Sequence, residues 1–167
     1  MREILASFLL LLGIGAAQKS IPQSNFREVD LSAKITLART IWGEARGEGY
    51  EGMQSVANVV MNRLEIARNS VAKARQFGGT VDEICKKPYQ FSAWNVRDPN
   101  FAKMMNVTEN DQAYTAALEI ADRALRGTLP DITGGADHYH TQAVNPSWSR
   151  GETVIAQIGA HNFFKLG

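Results

Sequence analysis

Between Glu51 and Arg68 apolar side chains recur at Met53, Val56, Ala57, Val60, Met61 and Leu64, a spacing of three and four that an α-helix turns into one continuous stripe. A stripe of that length has to be buried against others of its kind. Leu31, Ile35, Ala38, Ile41, Trp42 and Ala45 repeat with the same period behind Asp30, which stands at the N-cap, and Gly47 and Gly49 supply the stop. A third helix is predicted from about Asn110 to Arg126, alanine-rich, capped by Thr108 or Asn110 and ended by Gly127. Elsewhere the period is lost. From Gln76 to Asn106, the pairs Gly78-Gly79 and Asp98-Pro99, together with Pro88 and the aromatic run Tyr89 to Trp94, predict short strands or ordered loops, with one helical turn over Asp82 to Cys85. Residues 134–167 read as irregular or strand-like. The expected fold class is mainly α with a small irregular β part, in a single domain over residues 30–167.

Residues Met1 to Ala17 have the form of an export signal: Arg2, an apolar run from Ile4 to Ile14, then Gly15, Ala16 and Ala17. Cleavage after Ala17 is expected; an uncleaved membrane anchor is the alternative, although the run is short for a span. Residues 18–29, containing Pro22, form a leader. In an oxidising compartment the single cysteine, Cys85, has no internal partner and reads as a buried structural thiol. Eighteen basic and 17 acidic side chains leave the chain near neutral, so a nucleic-acid partner held by a strong positive field is not indicated. The length and the 44% hydrophobic content suffice for a core without a metal or cofactor.

Chemistry concentrates at the end of the first helix. Glu44 and Glu48 project at the edge of its apolar stripe, where half-burial raises a carboxyl pKa and makes a general acid. The alternative is a solvated helix end in which both simply bracket Arg46. Ser55, Asn58 and Asn62 place uncharged polar groups on the far side of the second helix, either lining a cleft or satisfying backbone groups. Gln90 and Ser92, interleaved with Tyr89, Phe91 and Trp94, combine hydrogen-bonding groups and flat rings as a sugar site does, though such aromatics also build cores. All three histidines, His138, His140 and His161, fall in the last thirty residues and form a possible zinc set, but no His-Glu-x-x-His helix is present and the residues favour no metal.

Trp42-Gly43-Glu44-Ala45-Arg46-Gly47-Glu48, the run Gly52 to Arg63, Gln90-Phe91-Ser92, His138-Tyr139-His140, Pro146-Ser147-Trp148 and Ile158-Gly159 with His161 and Phe163 together resemble the cell wall hydrolases of the SleB/CwlJ type. The resemblance runs in order through the chain after the leader. It implies a lysozyme-like fold related to lytic transglycosylases, peptidoglycan glycan strands as substrate, and Glu44 as the general acid. The chain departs from the pattern around His161, at Ala160 and Asn162, and at Phe163-Phe164, where an aromatic pair ending in tyrosine is usual. No separate peptidoglycan-binding domain is recognisable, so targeting is expected from the groove or from a partner protein.

Cleavage of the β-1,4 bond between N-acetylmuramic acid and N-acetylglucosamine needs a proton on the leaving oxygen, which Glu44 supplies. Glu48 lies beside Glu44 rather than across a cleft and is expected to tune its pKa by like-charge repulsion. Intramolecular attack by the muramic acid 6-hydroxyl, giving 1,6-anhydro ends, is then the economical route. Groove candidates are Glu48, Asn58, Asn62, Gln90, Phe91, Ser92, Trp94, Tyr139 and Trp148. The alternatives are a hydrolytic muramidase, a metal amidase or peptidase built on the histidines, and a silent glycan-binding module.

Overall fold

The computed structural model describes residues 29–167, so the expected export signal and all but the last residue of the expected leader lie outside the described residues. The three long helices form as the periodicity predicts: α1 over Leu31–Ala45, α2 over Gly49–Arg68, and a third over Gln112–Arg126. Asp30 caps α1 by accepting from the amides of Ser32 and Ala33. Gly49 does not stop α1; with φ +71° it opens α2 two residues earlier than the apolar pattern implied. The third helix is capped by Asp111, not Thr108 or Asn110. Its Oδ1 accepts from the Tyr114 amide at 3.0 Å and from Trp42 Nε1 at 3.1 Å, so one carboxylate both caps this helix and ties it to α1.

Of the short strands or ordered loops expected between Gln76 and Asn106, no strand forms, whereas the loops and the helical turn at Asp82 to Cys85 do. Short helices enter and punctuate that region: α3 (Val71–Phe77), α4 (Val81–Lys86) and α5 (Phe101–Asn106), with a 3-10 turn at Ser92–Trp94. Elements of one to two turns are too brief to show a period, and their caps carry the signal instead: Ser70 and Thr80 accept from Lys73 N and Glu83 N. The Gln112–Arg126 helix is therefore α6. The strand-like tail becomes a three-stranded antiparallel sheet of β1 (His138–Thr141), β2 (Ala156–Ile158) and β3 (His161–Phe164), with β3 in the middle.

The core lies where α1, α2 and α6 meet. Leu37, Ala38 and Ile41 pack with Val56, Ala57 and Val60 and with Ala117, Ile120 and Ala121, all essentially inaccessible. The alanines of α6 let the helix axes approach closely. Every residue from Gly52 to Val60 is buried, so α2 is surrounded over its first half, and its polar side had to be uncharged. The sheet docks separately, through Val59, Ala136 and Phe163. Cys85 is buried, and burial pushes its thiol pKa up to about 12, which makes it inert. None of the described helices is long and apolar enough to cross a membrane.

Candidate active site

Glu44 stands in the last turn of α1, half-buried as the stripe implied. The chain between α4 and α5 folds back over it. The Ala93 amide donates to Glu44 Oε1 at 2.9 Å, and the Ser92 hydroxyl approaches the same oxygen at 3.5 Å. From the sheet, the Tyr139 hydroxyl donates to Oε2 at 3.1 Å. Burial nevertheless pushes the Glu44 pKa up, and the charge of Asp98 adds to the rise; the bonds from Ala93, Tyr139 and Ser92 oppose it without cancelling it. Tyr139 is a neutral donor throughout, because burial and the neighbouring Glu44 raise its phenol well above the usual range.

Glu44, Ser92 and Tyr139 border a cavity of about 640 Å³ that also receives Gln90, Arg63, Asn95, Asn100 and His161. Among the described residues, Glu44 is the sole carboxylate lining it. A second cavity of about 400 Å³ adjoins it, sharing Arg63, Tyr89, Gln90 and Tyr139 and adding Trp148 and His138. Four of the expected groove residues, Gln90, Ser92, Tyr139 and Trp148, thus line these two adjoining cavities.

The other five do not. Glu48 turns away: its Oε2 accepts from the Ala160 amide at 2.9 Å and pins the turn between β2 and β3. The carboxylate that perturbs Glu44 is Asp98, not Glu48. Phe91 is only 1% exposed and serves as a floor under Tyr139, with ring centroids 6.5 Å apart. Trp94 donates from Nε1 to Thr40 Oγ1 at 2.9 Å and packs on the helical core. Asn58 donates to Pro130 O and accepts from Ile132 N, while Asn62 donates to Ala136 O at 2.9 Å. Both asparagines hold the 130–136 loop, which is the backbone-satisfying alternative for a polar face on a buried helix.

The histidines do not converge. His138 and His140 share one face of β1, whereas His161, paired with Thr141, shares the opposite face with Tyr139 and Phe163. His138 Nδ1 is bonded to Asp137 Oδ1 at 2.9 Å and His140 Nδ1 to Thr141 O at 2.8 Å. No group of three His, Cys, Asp or Glu side chains among the described residues is arranged to hold a metal. His138 and His140 instead pack against Trp148, at 5.3 and 5.5 Å between ring centroids.

One residue of the site escaped the sequence reading. Arg63 is 6% exposed, lies between the rings of Phe77 and Phe91, and donates to Asp137 O at 2.7 Å and Gln90 Oε1 at 3.0 Å. It fixes Gln90, whose Nε2 donates to Gln76 O. The available signal was a cation set just before Leu64 in the apolar-striped second helix.

The family model described as Cell Wall Hydrolase matches residues 47–164. The chain belongs to the cell wall hydrolase family. The matched region opens just beyond Glu44, so the case for that residue rests on its surroundings. Among cell wall hydrolases, the spore cortex-lytic enzyme of Oceanobacillus iheyensis is 32% identical over 90% of this chain and 46% of its own length, and that of Bacillus subtilis 31% identical over 76% and 35%. The chain thus spans less than half the length of these relatives. Two solved structures superpose on it. The catalytic domain of the Bacillus cereus SleB protein has a TM-score of 0.59 and 26% identity, over 90% of this chain and 100% of that one. The catalytic domain of the germination-specific lytic transglycosylase SleB from Bacillus anthracis has a TM-score of 0.60 and 28% identity, over 83% and 98%. The fold is theirs, mostly helical and lysozyme-like, as expected.

Proposed function

We propose that this chain is an exported enzyme that cleaves the glycan strand of peptidoglycan between N-acetylmuramic acid and N-acetylglucosamine, as a lytic transglycosylase. The observation that carries this reading is the solitary raised-pKa carboxyl of Glu44, held by Ala93 and Tyr139 in a cavity with no second carboxylate on its wall. Below its pKa Glu44 protonates the glycosidic oxygen, and the departing sugar leaves an oxocarbenium-like centre. The resulting carboxylate, stabilised by the Ala93 and Tyr139 donors, then takes the proton of the muramic acid 6-hydroxyl as that oxygen closes on the anomeric carbon. A hydrolytic route needs a second carboxylate about 5 to 9.5 Å across the sugar; among the described residues the lining offers none, and Asp98, whose charge reaches Glu44, is not part of it.

Residues 1–17 act as the export signal and residues 30–167 as the catalytic domain in this reading, with the site working in the cell wall. Kinship with enzymes named for spore cortex lysis supports the substrate class. Digestion of purified peptidoglycan by the protein and its Glu44→Gln variant, with mass spectrometry of the new ends, tests it. Glu44-dependent 1,6-anhydromuramyl ends are expected; reducing ends would replace the transglycosylase by a muramidase, cleaved amide bonds would move the chemistry away from Glu44, and binding without release would leave a glycan-binding module.

A further inference from the structure

Tyr89 is the only non-glycine among the described residues with a positive φ, +66°. It occupies the third position of a turn closed by Gln90 N to Lys87 O at 3.2 Å, after Pro88. That is the pattern of a type II turn, whose third position favours glycine or asparagine and strains a large side chain. Burial does not repay the strain, since Tyr89 is 94% exposed. The residue nevertheless borders both cavities, the one holding Glu44 and the one holding Trp148. The next side chain, Gln90, is clamped by Arg63 and Gln76, so the turn is anchored on its inner side and the ring is held outward at the boundary. A strained, exposed aromatic kept at the junction of two polar cavities is placed for a ligand.

We propose that Tyr89 is a sugar-stacking residue, holding against its ring a unit of the glycan strand that lies between the Glu44 cavity and Trp148, outside the bond being cleaved. The proposal rests on Glu44 acting on a glycan strand. An exposed ring offers a flat apolar face to the axial C–H groups of a pyranose, and a unit bound there extends the contact from the reacting sugar towards Trp148. Its contribution falls on binding of long strands rather than on proton transfer.

The test compares the full chain with Tyr89→Ala, Tyr89→Phe, Tyr89→Gly and Glu44→Gln on glycan strands of graded length. Tyr89→Ala is expected to lower kcat/KM on long strands about threefold to tenfold, mainly through KM, while the shortest fragment that is cleaved turns over as before. Tyr89→Phe keeps the platform and retains activity. Tyr89→Gly relieves the backbone, so its Tm stays at or above that of the unmodified chain while long-strand activity falls as in Tyr89→Ala. Unchanged long-strand kinetics in Tyr89→Ala, or an equal loss at every strand length, overturns the proposal. Cleavage that survives in Glu44→Gln overturns the underlying reading instead; an inactive Glu44→Gln beside an unaffected Tyr89→Ala overturns this inference alone.

Discussion

The Tyr139 hydroxyl donates to Glu44 Oε2 at 3.1 Å, joining β1 to the last turn of α1 across 95 residues of chain. That bond favours the ionised carboxylate, whereas the charge of Asp98 favours the protonated acid. Two substitutions should therefore move the same titration in opposite directions. Tyr139→Phe removes a bond that lowers the Glu44 pKa and shifts the high-pH limb of kcat/KM upward; Asp98→Asn removes a repulsion and shifts it downward. Shifts of the same sign in both variants would mean that the limb belongs to another group.

Glu44→Gln should separate stability from activity. Activity should drop by about 10²- to 10⁴-fold, the range for losing a general acid. The folded-state pKa of Glu44 lies above its unfolded value, so the native state holds the proton more tightly and stability declines as pH rises between the two. The amide is neutral at every pH. The Tm of Glu44→Gln should equal or exceed that of the unmodified chain near neutrality, and the difference should close at acid pH. A variant that is less stable at neutral pH and remains so in acid would contradict the burial argument.

Most of the helical frame was legible because its stripes are long. Met53 to Leu64 and Ala113 to Ala124 repeat over three or more turns, and the periodicity carries through into the core. Helices α3 and α5 were not legible, since one or two turns show no period; of α4 only the turn Asp82 to Cys85 was. Reading by residue type pointed to Glu44, Gln90 and Ser92, and the resemblance added Tyr139; all four line one cavity. Reading by type failed where two environments look alike in sequence: an uncharged face such as Asn58 and Asn62 suits a cleft and a buried loop contact equally well. Glu48 was misplaced because its partner, the Ala160 amide, is 112 residues away.

That contact makes a prediction of its own. Glu48→Ala should free the turn between β2 and β3, costing about 1 kcal/mol and lowering Tm by about 2–4 °C, the cost of one backbone-to-carboxylate bond at a partly exposed site. Kinetic constants on peptidoglycan should be nearly unchanged. A large fall in kcat with unaltered Tm would return Glu48 to the catalytic machinery.

Chelation supplies a check on the histidines. With His161 on the opposite face of the sheet from His138 and His140, the three cannot share one ion without breaking the pairing of β1 with β3. Treatment with a strong chelator, followed by elemental analysis and assay, should leave the cleavage rate unchanged. Loss of activity restored by zinc would show that the metal reading holds after all.

Gly43 sets how closely the Ser92–Trp94 turn can approach Glu44. Glycine inside a helix is less favourable than alanine by about 1 kcal/mol, so its place in the middle of the last turns of α1 asks for a reason. A Cβ built at Gly43 would stand 2.6 Å from the Ala93 Cβ and 3.2 Å from Met104 Sδ. The first contact is closer than a Cβ can stand and the second is tight, and Ala93 is the residue whose amide holds Glu44 Oε1. Gly43→Ala gains helix propensity but pushes the turn outward, lengthening a bond that a displacement of half an ångström or so weakens steeply. The expected result is a fall in kcat of roughly tenfold to a hundredfold and a net destabilisation of about 1–3 kcal/mol, readable in assay and thermal melts. Because the Ala93 bond lowers the Glu44 pKa, its loss should also move the high-pH limb upward, in the same direction as Tyr139→Phe. An alanine variant with native kcat and an unshifted limb would show that the Ala93 amide does not position the acid.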